Sequence, residues 1–285
     1  KEMLSRCEDE EIIQLRNKVK IKGKNKFKQK DIRYSETAHT RRLRNSLTAY
    51  NDLLAKTNIT LDCEDNTVDL TRKKVYRIFS NGTWTEGGRF YGGFWIECKK
   101  ELRPHILING KPTKECDFSC MHMHLLYALE CINYADKKED AYTIEGYDRD
   151  LFKQLLLIAL NSKNKHTGIM ALITDDSNNL TLTDLEYIKT ALDKFIKKHK
   201  PVSHLFFKEL GTKLQYFDSL IAELVIENYT KKSIPILSVH DTFIIQEDLA
   251  DDLIACMLNS FYSIVKFYYN SKGVLVHGMH SSYNS

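Results

Sequence analysis

Apolar and polar positions along this chain follow two periods, and the switches between them outline its elements. Over residues 37–56, Leu43, Leu47, Leu53 and Leu54 recur at helical spacing and predict a helix. Residues 75–79 read as a short strand, closed by the turn signal of Asn81 and Gly82. Strand-like runs at 106–108 and 113–118 flank Asn109 and Gly110, a dipeptide that favours the tightest hairpin turns. A helix is expected at 122–132, leaving the second of those strands. Another is expected at 148–162, where Leu151, Leu155, Ile158 and Ala159 form the apolar stripe. A third spans 183–199, with Thr183 and Glu186 as a capping box and Pro201 ending it. Residues 204–228 predict one long helix or two short ones broken at Gly211. A second hairpin follows from 234–239 and 243–245, with Asp241 at or near its turn. An amphipathic helix at 249–268 and a strand at 274–276 complete the pattern.

Two hairpins, each followed by a helix, make a small antiparallel sheet covered on one face. That is an α+β layer architecture with a helical insertion between the hairpins. With 285 residues the chain can bury a sizeable core. No apolar run is long enough to span a bilayer, so no membrane partner is expected. Seven cysteines form an odd set without CxxC pairs or zinc-spaced histidines. Cys98, Cys116, Cys120 and Cys256 sit in apolar surroundings and read as buried thiols, with a reducing cytoplasm as the expected compartment. In that compartment the Asn-X-Thr triplets at Asn58, Asn81, Asn179 and Asn228 are chance matches.

The formal net charge is only +4, but its distribution is uneven. Every second residue from Arg16 to Lys30 is basic: Arg16, Lys18, Lys20, Lys22, Lys24, Lys26, Lys28 and Lys30. In one extended strand they would share a face, with roughly 6–7 Å between neighbours. A strip of that kind can neutralise several phosphates of a nucleic acid, or form a solvated basic arm. Farther on, the run Gly87-Gly88-Arg89-Phe90-Tyr91-Gly92-Gly93-Phe94-Trp95 combines close backbone approach with flat stacking faces. Trp84, Trp95, Phe206 and Phe207 read as core residues.

Two carboxylates stand out by context. Asp117 ends a strand-like run and Asp241 interrupts another, so each can present its side chain at a sheet surface. Carboxylates on neighbouring strands can bridge divalent ions about 3.5–4 Å apart, the spacing used for phosphoryl transfer. Glu115 shares a strand face with Asp117 as an accessory acid. Arg149 and Lys153 are four residues apart, hence on one helix face, and Asn161 falls close to that face again. Such a face can hold a triphosphate, or be solvated and paired with Asp148 and Asp150.

These motifs carry a resemblance. Asp117-Phe118-Ser119 resembles motif A of the A-family DNA polymerases, and with Cys120 it also matches the single-subunit RNA polymerases of phage and mitochondrial type. Arg149-X-X-X-Lys153 resembles motif B, and Val239-His240-Asp241-Thr242-Phe243 resembles motif C. Gly88-Arg89-Phe90-Tyr91 is similar to the Gly-Arg box ahead of motif A. Gln215 and Asp218 resemble polar residues that face the primer–template minor groove. The order of motifs is kept over residues 87–247. Two departures stand out: Asn161 replaces the aromatic residue of motif B, and His122 occupies the sugar-gate position.

The resemblance implies a palm at 75–134 and 230–285, a helical fingers insertion at 135–229, and a basic, thumb-like clamp at 1–74. It implies DNA synthesis from deoxynucleoside triphosphates with two magnesium ions, manganese substituting, held by Asp117, Asp241 and the Phe118 carbonyl. Lys153 and Arg149 would be the catalytic cations and bind the nucleotide with His122 and Asn161. Arg89, Tyr91, Gln215 and His240 would contact primer–template DNA or RNA. An RNA polymerase or primase, and a catalytically silent nucleic-acid-binding palm, are the alternatives. Replication or mobile-element proteins are the expected protein partners.

Overall fold

The structure is a computed structural model that describes residues 11–20, 27–63, 68–137, 139–175, 178 and 180–271. The strand expected at 274–276, and Lys22, Lys24 and Lys26 of the basic strip, lie outside the described residues. The chain forms two compact units: Lys1–Phe118 with Gln215–Ser285, and Ser119–Leu214. The fold is α+β, with antiparallel pairing dominant in its sheets. No helix among the described residues is long and apolar enough to cross a membrane.

The first unit contains two sheets. Strands β1 (Ile13–Lys20), β2 (Phe27–Asp31), β4 (Tyr76–Phe79) and β5 (Gly87–Tyr91) form one, in the order β2-β1-β4-β5. Within it β1 runs parallel to β4, a long-range pairing that the local pattern does not announce. The second sheet is antiparallel throughout, in the order β3-β6-β7-β9-β8. Its strands are β3 (Ile59–Leu61), β6 (Ile106–Ile108), β7 (Lys111–Asp117), β8 (Leu237–Val239) and β9 (Thr242–Gln246). Asn109 and Gly110 both take positive φ, +53° and +76°, as the two-residue turn between β6 and β7 requires.

Helix α1 (Ala38–Lys56) buries Leu43, Leu47, Tyr50 and Leu54, and Thr37 and Thr40 cap it reciprocally. Tyr50 donates its hydroxyl to the Ile236 carbonyl at 2.7 Å, which ties the helix to the strand end before β8. After β5 comes the short helix α2 (Phe94–Glu97), whose Trp95 is fully buried and donates to Ser238 O at 3.1 Å. Buried residues of α1, β1, β4, β5 and both expected hairpins belong to one core cluster. The basic N-terminal segment, expected as a separate clamp, therefore falls in the same compact unit as the hairpins.

The second unit is helical: α3 (Met121–Leu129), α4 (Arg149–Asn161), α5 (Lys165–Ile173) and α6 (Leu185–Lys198). Thus the helix expected at 122–132 goes with this unit and not with the hairpin before it. The capping box is Thr181 with Asp184, two residues earlier than Thr183 with Glu186. Pro201 sits in a 3-10 turn, Lys200–Leu205, that follows α6. Phe152, Phe195 and Phe206 stack through its core, with centroids 5.5 Å and 5.9 Å apart. The helix of 204–228 is instead α7 (Gly211–Lys231), which crosses into the first unit. Helix α8 (Ala250–Ser271) follows β9.

One buried cluster in the first unit is ionic. Arg77 of β4 is 2% exposed and lies 2.6 Å from Glu223 of α7, which Arg42 of α1 also reaches at 2.6 Å. Burial pushes the Glu223 carboxyl up, but Arg77 and Arg42 outweigh it and hold the group below its ordinary range. Arg77 also donates to Gly88 O at 2.7 Å and stacks on Phe79 and Phe90. Breaking such a pair from one side strands a buried charge, at a cost of about 3–5 kcal/mol. Gly88 is required here: a Cβ would stand 2.7 Å from the Phe79 ring and 2.9 Å from Ser219 Oγ.

His199 does comparable service in the second unit. It is 1% exposed, its Nε2 lies 2.9 Å from Ala141 O and its Nδ1 3.1 Å from the Tyr127 hydroxyl. A neutral ring meets both neighbours, donating to the carbonyl and accepting from the phenol. Burial pushes its pKa down to about 4. Because this lies below the unfolded value of about 6.5, the stabilisation is complete above pH 6.5 and is lost as pH falls towards 4. Urea unfolding should show about 3 kcal/mol lost across that window through this group. His199→Asn should show a shallower dependence than the wild type; parallel curves would contradict the assignment.

Candidate functional site

The β7–β9 ladder pairs Cys116 with Phe243 and Asp117 with Thr242. Directly opposed residues of an antiparallel pair share a face. Cys116 and Phe243 accordingly point into the core cluster, which Val225, Tyr229, Leu253 and Met257 of α7 and α8 also enter. Asp117 and Thr242 take the opposite side, and Thr242 Oγ1 donates to Asp117 Oδ1 at 2.9 Å. The next residue back along β9's hairpin is Asp241. Val239 pairs with Thr242, so His240 and Asp241 are the two turn residues of the β8–β9 hairpin. The structure thus brings the two aspartates to one corner, across strands that lie about 4.8 Å apart.

The electrostatics report their proximity. Asp117 is exposed, yet its carboxyl is raised above the ordinary value. Desolvation is the main cause and the Asp241 charge adds to it, against the Thr242 hydroxyl, Lys100 and the Phe118 backbone amide. Two carboxylates that repel each other at an accessible sheet end, next to a backbone carbonyl at Phe118, suit a hard divalent cation. Magnesium takes only one or two carboxylates and completes its shell with water and substrate oxygens. Among the described residues no group of three or more His, Cys, Asp or Glu side chains is assembled for a metal, so the acid pair stands without a third acid. Glu115, the accessory candidate, is bonded to Arg103 at 3.3 Å.

His240 carries backbone strain. Its φ is +59°, a conformation that costs a non-glycine residue about 1–2 kcal/mol. Its ring meets Tyr91 edge-on at 5.6 Å, and its buried Nδ1 has no hydrogen-bond partner among the described residues. Burial and the nearby Arg89 hold its pKa down, so the imidazole is neutral at physiological pH. Arg89 is itself clamped by Asp218 of α7, Nε lying 3.1 Å from each carboxylate oxygen and Nη2 closer still. Asp218 is 2% exposed and turned to Arg89, not to a groove outside the protein. Gln215, one turn earlier on α7, is half-buried.

The remaining predicted residues belong to the second unit. Arg149 and Lys153 share a face of α4, as their spacing predicts. Arg149 is held by Asp140, with Nη2 to Oδ1 at 2.7 Å and Nε to Oδ2 at 3.1 Å, and it stacks over Tyr142. Its guanidinium keeps the Asp140 carboxyl far below the usual range. Lys153 pairs with Asp150 at 2.7 Å on the exposed surface, a solvent-screened contact that is easily exchanged. Leu157, one turn beyond Lys153, is 59% exposed on the same face. Asn161 bonds back to Leu157 O at 2.8 Å, and His122 is half-buried at the start of α3.

Sequence reasoning missed Thr242, Lys100 and Arg103. A two-residue turn at His240 and Asp241 starts β9 at Thr242, but its place opposite Asp117 is set by the separate β7–β9 register. Lys100 and Arg103 lie in the 3-10 helix Lys100–His105, where residues three apart eclipse, but nothing in their spacing announces that geometry.

No protein-family model matches the chain, and no curated protein matches it.

The raised carboxyl of Asp117 has a consequence for stability. A folded-state pKa above the unfolded value makes ionisation unfavourable to the fold, so the penalty appears as pH rises through that interval and persists above it. Asp117→Asn keeps an oxygen for Thr242 and removes the charge. In EDTA at pH 7 its melting temperature should exceed that of the wild type, with the difference shrinking as pH falls towards 4. A variant that melts lower at both pH values would refute the raised Asp117 carboxyl.

Proposed function

We propose that this chain is a template-directed nucleotidyltransferase that extends nucleic acid from nucleoside triphosphates, with DNA synthesis as the primary activity. The observation that supports it most is the pair Asp117 and Asp241, the one at the end of β7 and the other in the turn that leads into its partner β9, where the Asp241 charge helps to raise the Asp117 carboxyl. Asp117, Asp241 and the Phe118 carbonyl would hold magnesium, and manganese in its place. Bound there, the metal supplies Lewis-acid stabilisation of the phosphate oxygens. The resemblance to A-family DNA polymerases and single-subunit RNA polymerases gives the same residues the same role. It assigns Arg149 and Lys153, with His122 and Asn161, to the nucleotide. Tyr91, His240, Gln215 and Arg89 form the part of the first unit assigned to primer and template.

A second reading, a nucleic-acid-binding palm without catalysis, draws on the internal bonds of the cations. Arg149 is occupied by Asp140 and Arg89 by Asp218. Primer extension separates the two. With magnesium, dNTPs and a primed template, the wild type should extend the primer, and more slowly with rNTPs if His122 excludes the 2′-hydroxyl. Asp117→Ala and Asp241→Ala should each lower the rate by about 10²–10³-fold, the usual loss when one charge-stabilising group is removed. Lys153→Ala should raise the KM for nucleotide. Extension that survives in both aspartate variants contradicts the metal assignment. No extension with any template, nucleotide or metal favours the binding protein.

A further inference from the structure

The β1–β2 hairpin is built unlike the rest of its sheet. Ile13 and Leu15 at its root are 0% and 6% exposed, and only residues 13–15 of β1 pair with β4. From Arg16 to Lys20 the partner is β2. Asn17, Lys18, Val19 and Lys20 are all exposed, as are Lys28, Gln29, Lys30 and Asp31 opposite them. The outer part is therefore a two-stranded ribbon with water on both faces. Its base is fastened by Arg16 to Asp31 at 2.7 Å and by Ile32 N to Leu15 O at 2.8 Å.

The register decides where the charges go. Lys18 pairs with Gln29 and Lys20 with Phe27, so these two lysines project from one face. Val19 pairs with Lys28 and Asn17 with Lys30, so Lys28 and Lys30 project from the other. The period-two strip does not lie on a single face, because the chain reverses between Lys20 and Phe27 and the reversal exchanges the faces. None of these four lysines forms an ion pair among the described residues. On each strand the two lysines stand about 7 Å apart.

A one-sided polyanion would meet only half of this charge. A groove with phosphates on both walls would meet all of it. A β-layer with its side chains is about 10 Å thick, and the major groove of B-form DNA is about 12 Å wide and admits a two-stranded ribbon. We propose that the β1–β2 ribbon inserts into the major groove of double-stranded DNA, Lys18 and Lys20 facing the phosphates of one strand and Lys28 and Lys30 those of the other. This goes beyond nucleotidyl transfer, since the ribbon needs neither metal nor nucleotide to bind.

Fluorescence anisotropy of the whole chain with a short labelled duplex, in EDTA across a sodium chloride series, tests it. Lys18→Gln with Lys20→Gln, and Lys28→Gln with Lys30→Gln, should each flatten the slope of log affinity against log salt by about 1.8, two contacts at about 0.9 apiece. The four-fold variant should lose both increments. All these positions are exposed, so circular dichroism should be unchanged. Loss from only one pair means a one-faced contact and overturns the proposal. So does loss from neither pair, or equal affinity for a single strand of the same length. With metal chelated and no nucleotide present, failure here leaves the extension assay untouched.

Discussion

Asp117 and Thr242 are 125 residues apart in the chain, and a single ladder joins them. Everything said about the acid pair depends on the β7–β9 register. Side chains alternate along a strand, so a slip by one residue would turn Asp117 inwards and Cys116 outwards. The register is held by what a slip would cost. Cys116 and Phe243 share the core face, and Phe243 is fully buried. Thr242 then has only one place for its hydroxyl, against the Asp117 carboxylate. The tight turn at His240 fixes where β9 begins, and so fixes Asp241 beside that contact.

The corner is supported from behind by charge as well as by apolar packing. Helix α7 brings Asp218, Ser219 and Glu223 against β4 and β5, where Arg77 and Arg89 receive them. Buried pairs of this kind add little net stability compared with apolar substitutes, but they are severe about geometry. They set the height of α7 over Gly88, and through Arg89 they place a fixed positive charge near His240. Burial first, and that charge second, keep the imidazole beside Asp241 neutral. Strain at a single turn residue persists only where its surroundings determine it, and here Tyr91 and the hairpin do so.

Local signals in the sequence were reliable where the structure is local. The stripe Leu43, Leu47 and Leu54 faces the core, Asn109 and Gly110 make the turn, and the helix expected at 148–162 forms as α4. The meeting of Asp117 and Asp241 was also legible, because both hairpins have recognisable ends. What could not be read depends on distant partners. Nothing near Ile13 indicates parallel pairing with β4, and β5 hides in a glycine-rich run. Helix α5 is short, with Gly168 inside it, and carries too weak a stripe to be recognised. The basic strip shows the limit most plainly: its period is visible in the letters, but the face each lysine takes depends on where the chain reverses. The partners of Arg149 and Arg89 were equally invisible, since Asp140 and Asp218 are chosen by the fold.

The central claim is that Asp117 and Asp241 together hold a divalent cation. Crystals grown in manganese, measured for anomalous scattering at the manganese edge, address it without any assay of activity. The account predicts a difference peak bound by both carboxylates at the open end of the β7–β9 ladder. Saturating manganese that leaves this corner empty, with the two carboxylates turned apart, would contradict it.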